Sequence, residues 1–201
     1  MISEFSRRAF VSFFSAAALT AALPTPGFAL NVAQAEALID RAVADINQVI
    51  KSGKPLNGMI RDFERIFVKY GDVPIIARSA LGPDARSLSN AQLSAYTKAF
   101  QGYMARKYGK RFNEFVGGQI DVQSSRKVKS FFEVTTSVKL RGEAPFEVNF
   151  LVSNRSGQDK FFDMIIEGIS LRLSEKAEIG AMLDRRKGDI NALIADLNNA
   201  G

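Results

Sequence analysis

The chain has 201 residues, a formal net charge of +6, no cysteine, no histidine and no tryptophan, but 16 phenylalanines. Lacking histidine, it lacks the usual general base near neutral pH, the usual partner of a serine nucleophile and the commonest transition-metal ligand; lacking cysteine, it has no disulfide framework. Much apolar aromatic surface and few catalytic groups point to holding something rather than transforming it, and the positive surplus suits anionic lipid or an acidic partner.

Residues 1–29 read as an address rather than part of the fold. Arg7 and Arg8 make a short basic head, and Ala9 to Leu23 is uncharged and rich in Ala and Phe. That stretch is shorter than the roughly 20 apolar residues a bilayer span requires. Pro24, Pro26 and Gly27 break any helix, and Gly27-Phe28-Ala29 puts small residues at the two positions a signal peptidase reads. The reading is a cleavable signal cut after Ala29. Ser6-Arg7-Arg8-Ala9-Phe10-Val11 is similar to the twin-arginine motif, which implies export to the periplasm in a folded state. Cleavage leaves 172 of the 201 residues as a single domain over 30–201 and lowers the formal charge from +6 to +5. No later segment reaches membrane-spanning length, so the mature chain is expected to be soluble.

Val32, Ala35, Leu38, Ile39, Ala42, Val43, Ile46 and Ile50 recur at three- and four-residue steps, which predicts an amphipathic helix ended by Lys51-Ser52-Gly53-Lys54-Pro55. A second stripe, Ile60, Phe63, Ile66, Phe67 and Tyr70, stops at Gly71. Asp72 is placed to cap a short third helix with Pro74 in its first turn, closed by Gly82-Pro83. Ser89-Asn90-Ala91-Gln92 is a capping box, with Leu88 and Leu93 at the staple positions. The helix it starts carries Leu93, Tyr96, Phe100, Tyr103 and Met104 on one face and continues through Tyr108 and Phe112.

From Gln119 the period changes to two. A short leading strand over Ile120 to Gln123 is followed by Val128 to Leu140, Phe146 to Val152, and a long strand from Phe161 to Leu171. Short turns between them require antiparallel pairing. Helical spacing returns after Ser174, in two segments separated by Gly188-Asp189. Grouped rather than alternating elements predict an α+β fold: N-terminal helices packed on a four-stranded antiparallel sheet, with short C-terminal helices. Phe131, Leu151, Phe162, Met164 and Ile166 lie opposite the faces that carry Phe132, Phe150, Ile165 and Ile169. A sheet apolar on both faces is explained by a thick solid core or by a cavity lined with side chains.

Enzyme patterns are incomplete. Gly168-Ile169-Ser170 begins a nucleophile elbow that Leu171-Arg172 does not finish. Ser124-Ser125-Arg126-Lys127 matches Ser-x-x-Lys but falls at an expected hairpin turn, without the companion Lys-Thr-Gly. Asp163 and Glu167 share a strand face, yet four strand residues set them about 13 Å apart, beyond the roughly 5–9.5 Å of glycosidase carboxylates. Structural hydrogen bonding suits them better. No calcium-loop spacing occurs, so neither a metal nor a cofactor is expected. Arg185-Arg186-Lys187 sits at a helix end, where the dipole favours cations, and Arg126-Lys127-x-Lys129 at a turn, so neither run argues for nucleic acid.

Phe161-Phe162-Asp163-Met164-Ile165-Ile166-Glu167-Gly168-Ile169-Ser170-Leu171 resembles the signature strand of the MlaC family of periplasmic phospholipid carriers, also known as toluene-tolerance auxiliary proteins: aromatic-x-Asp-Val-x-Val-Glu-Gly-Val-Ser-Leu. The family's later Gly-x-x-x-Leu-Ile-x-x-Leu appears, one residue longer, as Gly188 to Leu197. Arg78-x-x-Leu81-Gly82, then Gln92, Tyr96 and Phe100, match its Leu-Gly and its Gln-x-x-x-Phe-x-x-x-Phe helix. Lys176 and Ile179 stand where the family has Arg and Phe, and Tyr96 replaces a Phe.

The resemblance implies a non-enzymatic carrier that ferries a phospholipid between an outer-membrane lipoprotein complex and an inner-membrane ABC transporter, a role in outer-membrane lipid asymmetry. Two acyl chains sit inside and the headgroup stays outside. A diffusing shuttle needs no partner subunit, so a monomer is expected. The slot between the layers is expected to be lined by Leu81, Phe100, Tyr103, Met104, Phe112, Phe132, Val134, Val148, Phe150, Met164 and Ile166, with Gly102, Gly109, Gly117 and Gly118 flanking it. Two rivals stay open: an exported interaction or scaffold protein with a solid core, and an α+β enzyme using Asp163 or Glu167 as a desolvated base.

Overall fold

The computed structural model describes residues 30–201 apart from the side chains of Phe112 and Asn113, so the signal-peptide reading of residues 1–29 lies outside the described residues. Helix α1 (Val32–Lys51) opens with a capping box in which Asn31 Oδ1 accepts from the Gln34 N–H at 2.9 Å and Gln34 Oε1 accepts from the Asn31 N–H at 2.9 Å. Helix α2 (Leu56–Tyr70) ends at Gly71, and the Asp72 carboxylate caps α3 (Val73–Leu81) by accepting from the Ile75 N–H at 3.3 Å. A 3₁₀ turn at Gly82–Arg86 leads to α4 (Asn90–Gly109), where the Ser89–Gln92 box forms as its spacing predicts. At Lys110–Asn113 the chain tightens into a second 3₁₀ turn, so α4 stops short of Phe112.

Strands β1 (Gln119–Val128), β2 (Phe131–Lys139), β3 (Phe146–Ser153), β4 (Lys160–Ile166) and β5 (Ile169–Ser170) form one antiparallel sheet in chain order. Five strands stand where four were expected, and the boundaries differ for two physical reasons. First, β1 is an edge strand with no fully buried residue and a bulge between Val122 and Ser124, so little apolar alternation marks its second half. Ser124–Lys127 therefore lies inside a strand, and the turn falls at Lys129-Ser130, with Lys129 at φ 52°. Second, Glu167 and Gly168 take positive φ values of 49° and 83°, the requirement of a tight two-residue hairpin. The expected strand over Phe161–Leu171 is thus folded in two: Ile169 and Ser170 pair back on Ile166 and Ile165, and α5 (Leu171–Arg185) starts at once. Helix α6 (Ile190–Asn199) closes the fold.

Helix α1 lies along β1 and reaches β2 and β3, α4 packs on α2, α3 and α6, and α5 packs chiefly on α3 and β4. Arg106 of α4 donates through Nε to the Ala200 carbonyl at 2.7 Å and through Nη2 to the Leu197 carbonyl, satisfying the C-terminal end of α6. The helix-facing side of the sheet carries Phe132, Val134, Thr136 and Val138 from β2, Val148, Phe150 and Val152 from β3, and Phe161 from β4, all buried. A bulge opposite Leu151 and Val152 changes the alternation in β4. It sends Phe162 to the outer side, edge-on to Phe131 at 5.7 Å, and keeps Met164 and Ile166 in register with Phe150 and Val148. Met164 and Ile166 therefore share the face of Phe150 rather than opposing it.

One carboxylate holds the corner between sheet and α5. Asp163 is 3% exposed; its Oδ1 accepts from the backbone N–H groups of Met164 (2.9 Å) and Arg172 (3.0 Å), and its Oδ2 accepts from Ser170 Oγ at 2.7 Å. Ser170 Oγ in turn accepts from the Leu173 N–H at 3.1 Å as the N-cap of α5. The Asp, Glu-Gly and Ser of the signature thus build a strand, a hairpin and a helix start. Glu167 is exposed at the hairpin. Hydrogen bonds to a charged group contribute about 1.5–3 kcal/mol each, so Asp163→Ala is expected to cost at least ~3 kcal/mol. Glu167→Ala should stay within about 0.5 kcal/mol. Urea unfolding of both variants checks this, and similar small losses for the two would contradict the structural role of Asp163.

Candidate functional site

Ten of the eleven candidate lining residues come together. Leu81 ends α3; Phe100, Tyr103 and Met104 lie on the buried face of α4; Phe132, Val134, Val148 and Phe150 lie on the helix-facing side of β2 and β3. All eight are buried in one contiguous core, and Met164 and Ile166 of β4 pack against it half-buried. Cross-strand register aligns Val134, Phe150 and Met164 in one row and Val148 with Ile166 in the next. The eleventh, Phe112, belongs to the turn after α4, and its side chain lies outside the described residues. Aromatic rings run down α4 from Tyr96 to Phe100 at 6.0 Å and on to Tyr103 at 6.2 Å, while Phe161 meets Phe150 at 5.5 Å and Phe67 at 6.2 Å.

These residues belong to one buried hydrophobic cluster to which both the helices and the sheet contribute. A hollow of about 430 Å³ lies between α1 and α2, lined mainly by polar residues including Asp45, Gln48, Lys54, Asp62, Arg65 and Lys69. None of the candidate residues borders it. Two of the four flanking glycines permit close approach: a Cβ on Gly109 would stand 2.9 Å from Ile60 of α2, and one on Gly118 2.7 Å from the Lys139 carbonyl.

A polar cluster missed in the sequence reading bridges α4 and α5. Glu175 is fully buried, and its Oε1 accepts from Lys107 Nζ at 2.8 Å and Tyr108 Oη at 2.5 Å. Lys107 Nζ also donates to Tyr103 Oη at 2.9 Å and to Glu178 Oε2 at 2.5 Å. Glu175 Oε2 is buried with no hydrogen-bond partner among the described residues. Its signal in the sequence is a carboxylate midway between Leu171 and Ile179, in the buried stripe of α5.

The sequence model of the MlaC protein family matches residues 37–199, from α1 to α6. The chain belongs to the MlaC family. A solved structure of a phospholipid-binding protein from Ralstonia solanacearum in complex with a phospholipid shares the fold, with a TM-score of 0.70 at 20% sequence identity, over 82% of this chain and 95% of that chain. In this MlaC-family chain the signature strand supplies Met164 and Ile166 to the core face and Asp163 to the α5 corner.

Electrostatics give the cluster a holding role. Burial, reinforced by the charge of Glu175, pushes the Tyr96, Tyr103 and Tyr108 hydroxyls far above their ordinary value, so they remain protonated. Burial alone would lower Lys107, but its hydrogen bonds to Glu175 and Glu178 outweigh this and raise it above 10.5. The Lys107 hydrogen bond holds Glu178 below 4.5. Among the described residues, no group of three or more Asp or Glu side chains is placed to hold a metal ion, and no helix is long and apolar enough to cross a membrane. Removing one partner of a buried ion pair strands the other charge, so Lys107→Met should cost ~3 kcal/mol or more. Lys107→Met combined with Glu175→Leu should recover most of that loss. Urea midpoints of the single and double variants check it, and a double variant no more stable than Lys107→Met would contradict the pairing.

Proposed function

We propose that this protein carries a phospholipid by its two acyl chains, held between the helical layer and the helix-facing side of the sheet. It shuttles the lipid in the periplasm, as a monomer, between an outer-membrane lipoprotein complex and an inner-membrane ABC transporter. The observation that carries this reading is membership of the MlaC family over residues 37–199, joined to a core whose facing layers are aromatic and aliphatic. The phospholipid bound to the Ralstonia protein of the same fold supports it. So does the account of Asp163, whose carboxylate is engaged with Met164, Ser170 and Arg172 and needs no catalytic role. The twin-arginine character of residues 1–29 supports the periplasmic setting.

Loading would place the acyl chains among the buried apolar side chains that the helices and the sheet contribute. The driving force is adequate: each buried CH₂ contributes about 0.8 kcal/mol, so two chains together offset a substantial loss of protein–protein packing. Phe100, Tyr103 and Met104 on α4 and Val134, Val148, Phe150 and Met164 on the sheet would then contact the acyl chains. The rival reading is an exported interaction protein with a solid core that takes no lipid.

Native mass spectrometry of protein purified without detergent, followed by organic extraction, separates the two. The carrier yields one two-chain phospholipid per protein. Val148→Trp and Phe150→Trp should abolish that lipid while leaving a cooperatively folded chain. A wild-type protein that is lipid-free and refuses lipid from vesicles would favour the second reading.

A further inference from the structure

The helix-facing side of the sheet runs out to solvent at one end. Register across all five strands aligns Val122, Thr136, Val148, Ile166 and Ile169 in a single row. Exposure climbs along it: Thr136 is fully buried, Val148 is buried, Ile166 is half-buried, and Ile169 is 66% exposed. Ile169 is the most exposed large apolar side chain among the described residues. The next row toward the same end, Ile120, Val138 and Phe146, is buried only at its centre. Val116, three residues before β1, is 51% exposed, and Leu173, in the first turn of α5, is 60% exposed.

Ile169 is fixed in this position. The Glu167-Gly168 hairpin returns it beside Ile166, and Asp163 anchors the next residue, Ser170. A rigid backbone therefore presents to water a β-branched side chain that continues the buried row. Arg172 Nε lies 3.5 Å from Asp163 Oδ2, and Lys176, one turn further along α5, is exposed and carries the charge a phosphodiester requires.

We propose that the β4–β5 end of the sheet is the portal through which the acyl chains of a diacyl phospholipid enter and leave, with Ile169 as its outer lip and Ile166 as the step into the core. This rests on the carrier reading above. A chain tip moving inward would slide from Ile169 to Ile166 to Val148, in contact with apolar surface throughout, while its phosphate stays outside near the start of α5.

The test is transfer of a fluorescent diacyl phospholipid from donor to acceptor vesicles of phosphatidylcholine with phosphatidylglycerol, carried by the full mature chain. Ile169→Asp should slow uptake and release by at least about tenfold, because a carboxylate on the chain's path must be desolvated or avoided. Its urea midpoint and its lipid content at saturation should match wild type. Ile169→Leu should transfer at nearly the wild-type rate, and so should Val68→Asp, which places the same charge at an exposed apolar position on α2. An Ile169→Asp protein that transfers at the wild-type rate, or is slowed no more than Val68→Asp, overturns the portal while leaving the carrier intact. A defect that appears only when a membrane-complex partner is present assigns Ile169 to protein docking and also overturns it. Wild-type protein that takes up no lipid overturns the carrier reading, and the portal with it.

Discussion

The buried carboxylate of Asp163 joins the last long strand to the helix that follows, and the closure of the helical layer at that edge of the sheet depends on this corner. Its two oxygens accept from Met164, Arg172 and Ser170, so β4, the hairpin and the first turn of α5 move as one piece. Helix α5 then packs on α3 and reaches α4 through Glu175 and Lys107. A family signature that looks catalytic, with two acids and a serine in eight residues, is in this chain an architectural device. It also fixes Ile169 at the edge, where the apolar row meets water.

Above that corner the two layers are held differently. The sheet side offers smooth rows of aliphatic and aromatic groups whose contact is non-directional, so acyl chains can take the place of protein partners at little cost in geometry. The α4–α5 seam is held by an ion pair and tyrosine hydroxyls, whose geometry is specific. Under the proposed function, such a division would admit acyl chains on the sheet side while the polar seam keeps α4 and α5 in register. The unpartnered Glu175 Oε2 marks the one buried atom in the seam whose hydrogen-bonding capacity is unused among the described residues.

Much of this organisation was legible in the sequence because its signals are local. Ser89 with Gln92, Asp72 with Pro74, and Gly71 after a Phe-rich stripe place helix ends through hydrogen bonds within a few residues. Period marked the apolar faces of α4, β2 and β3, the family resemblance picked out the candidate residues on them, and these fall in one buried cluster. The misses are non-local. Bulged and without a fully buried residue, β1 shows little alternation, and Glu167 carries no sign that it adopts positive φ. The β4 bulge, set by pairing with β3, moved Met164 and Ile166 to the other face. Whether an apolar stripe is solid core or a collapsed slot is illegible in principle, because both present the same spacing of the same residues.

The central claim is that acyl chains lie between the helical layer and the helix-facing side of the sheet, and photo-cross-linking tests it most directly. Protein loaded with a phospholipid bearing a diazirine along one acyl chain would be irradiated, digested and mapped by mass spectrometry. The account predicts adducts on Val148, Phe150, Met164 and Ile166 together with Phe100, Tyr103 or Met104. Adducts confined to the α1–α2 hollow, or to Leu151 and Ile165 on the outer face of the sheet, would contradict it.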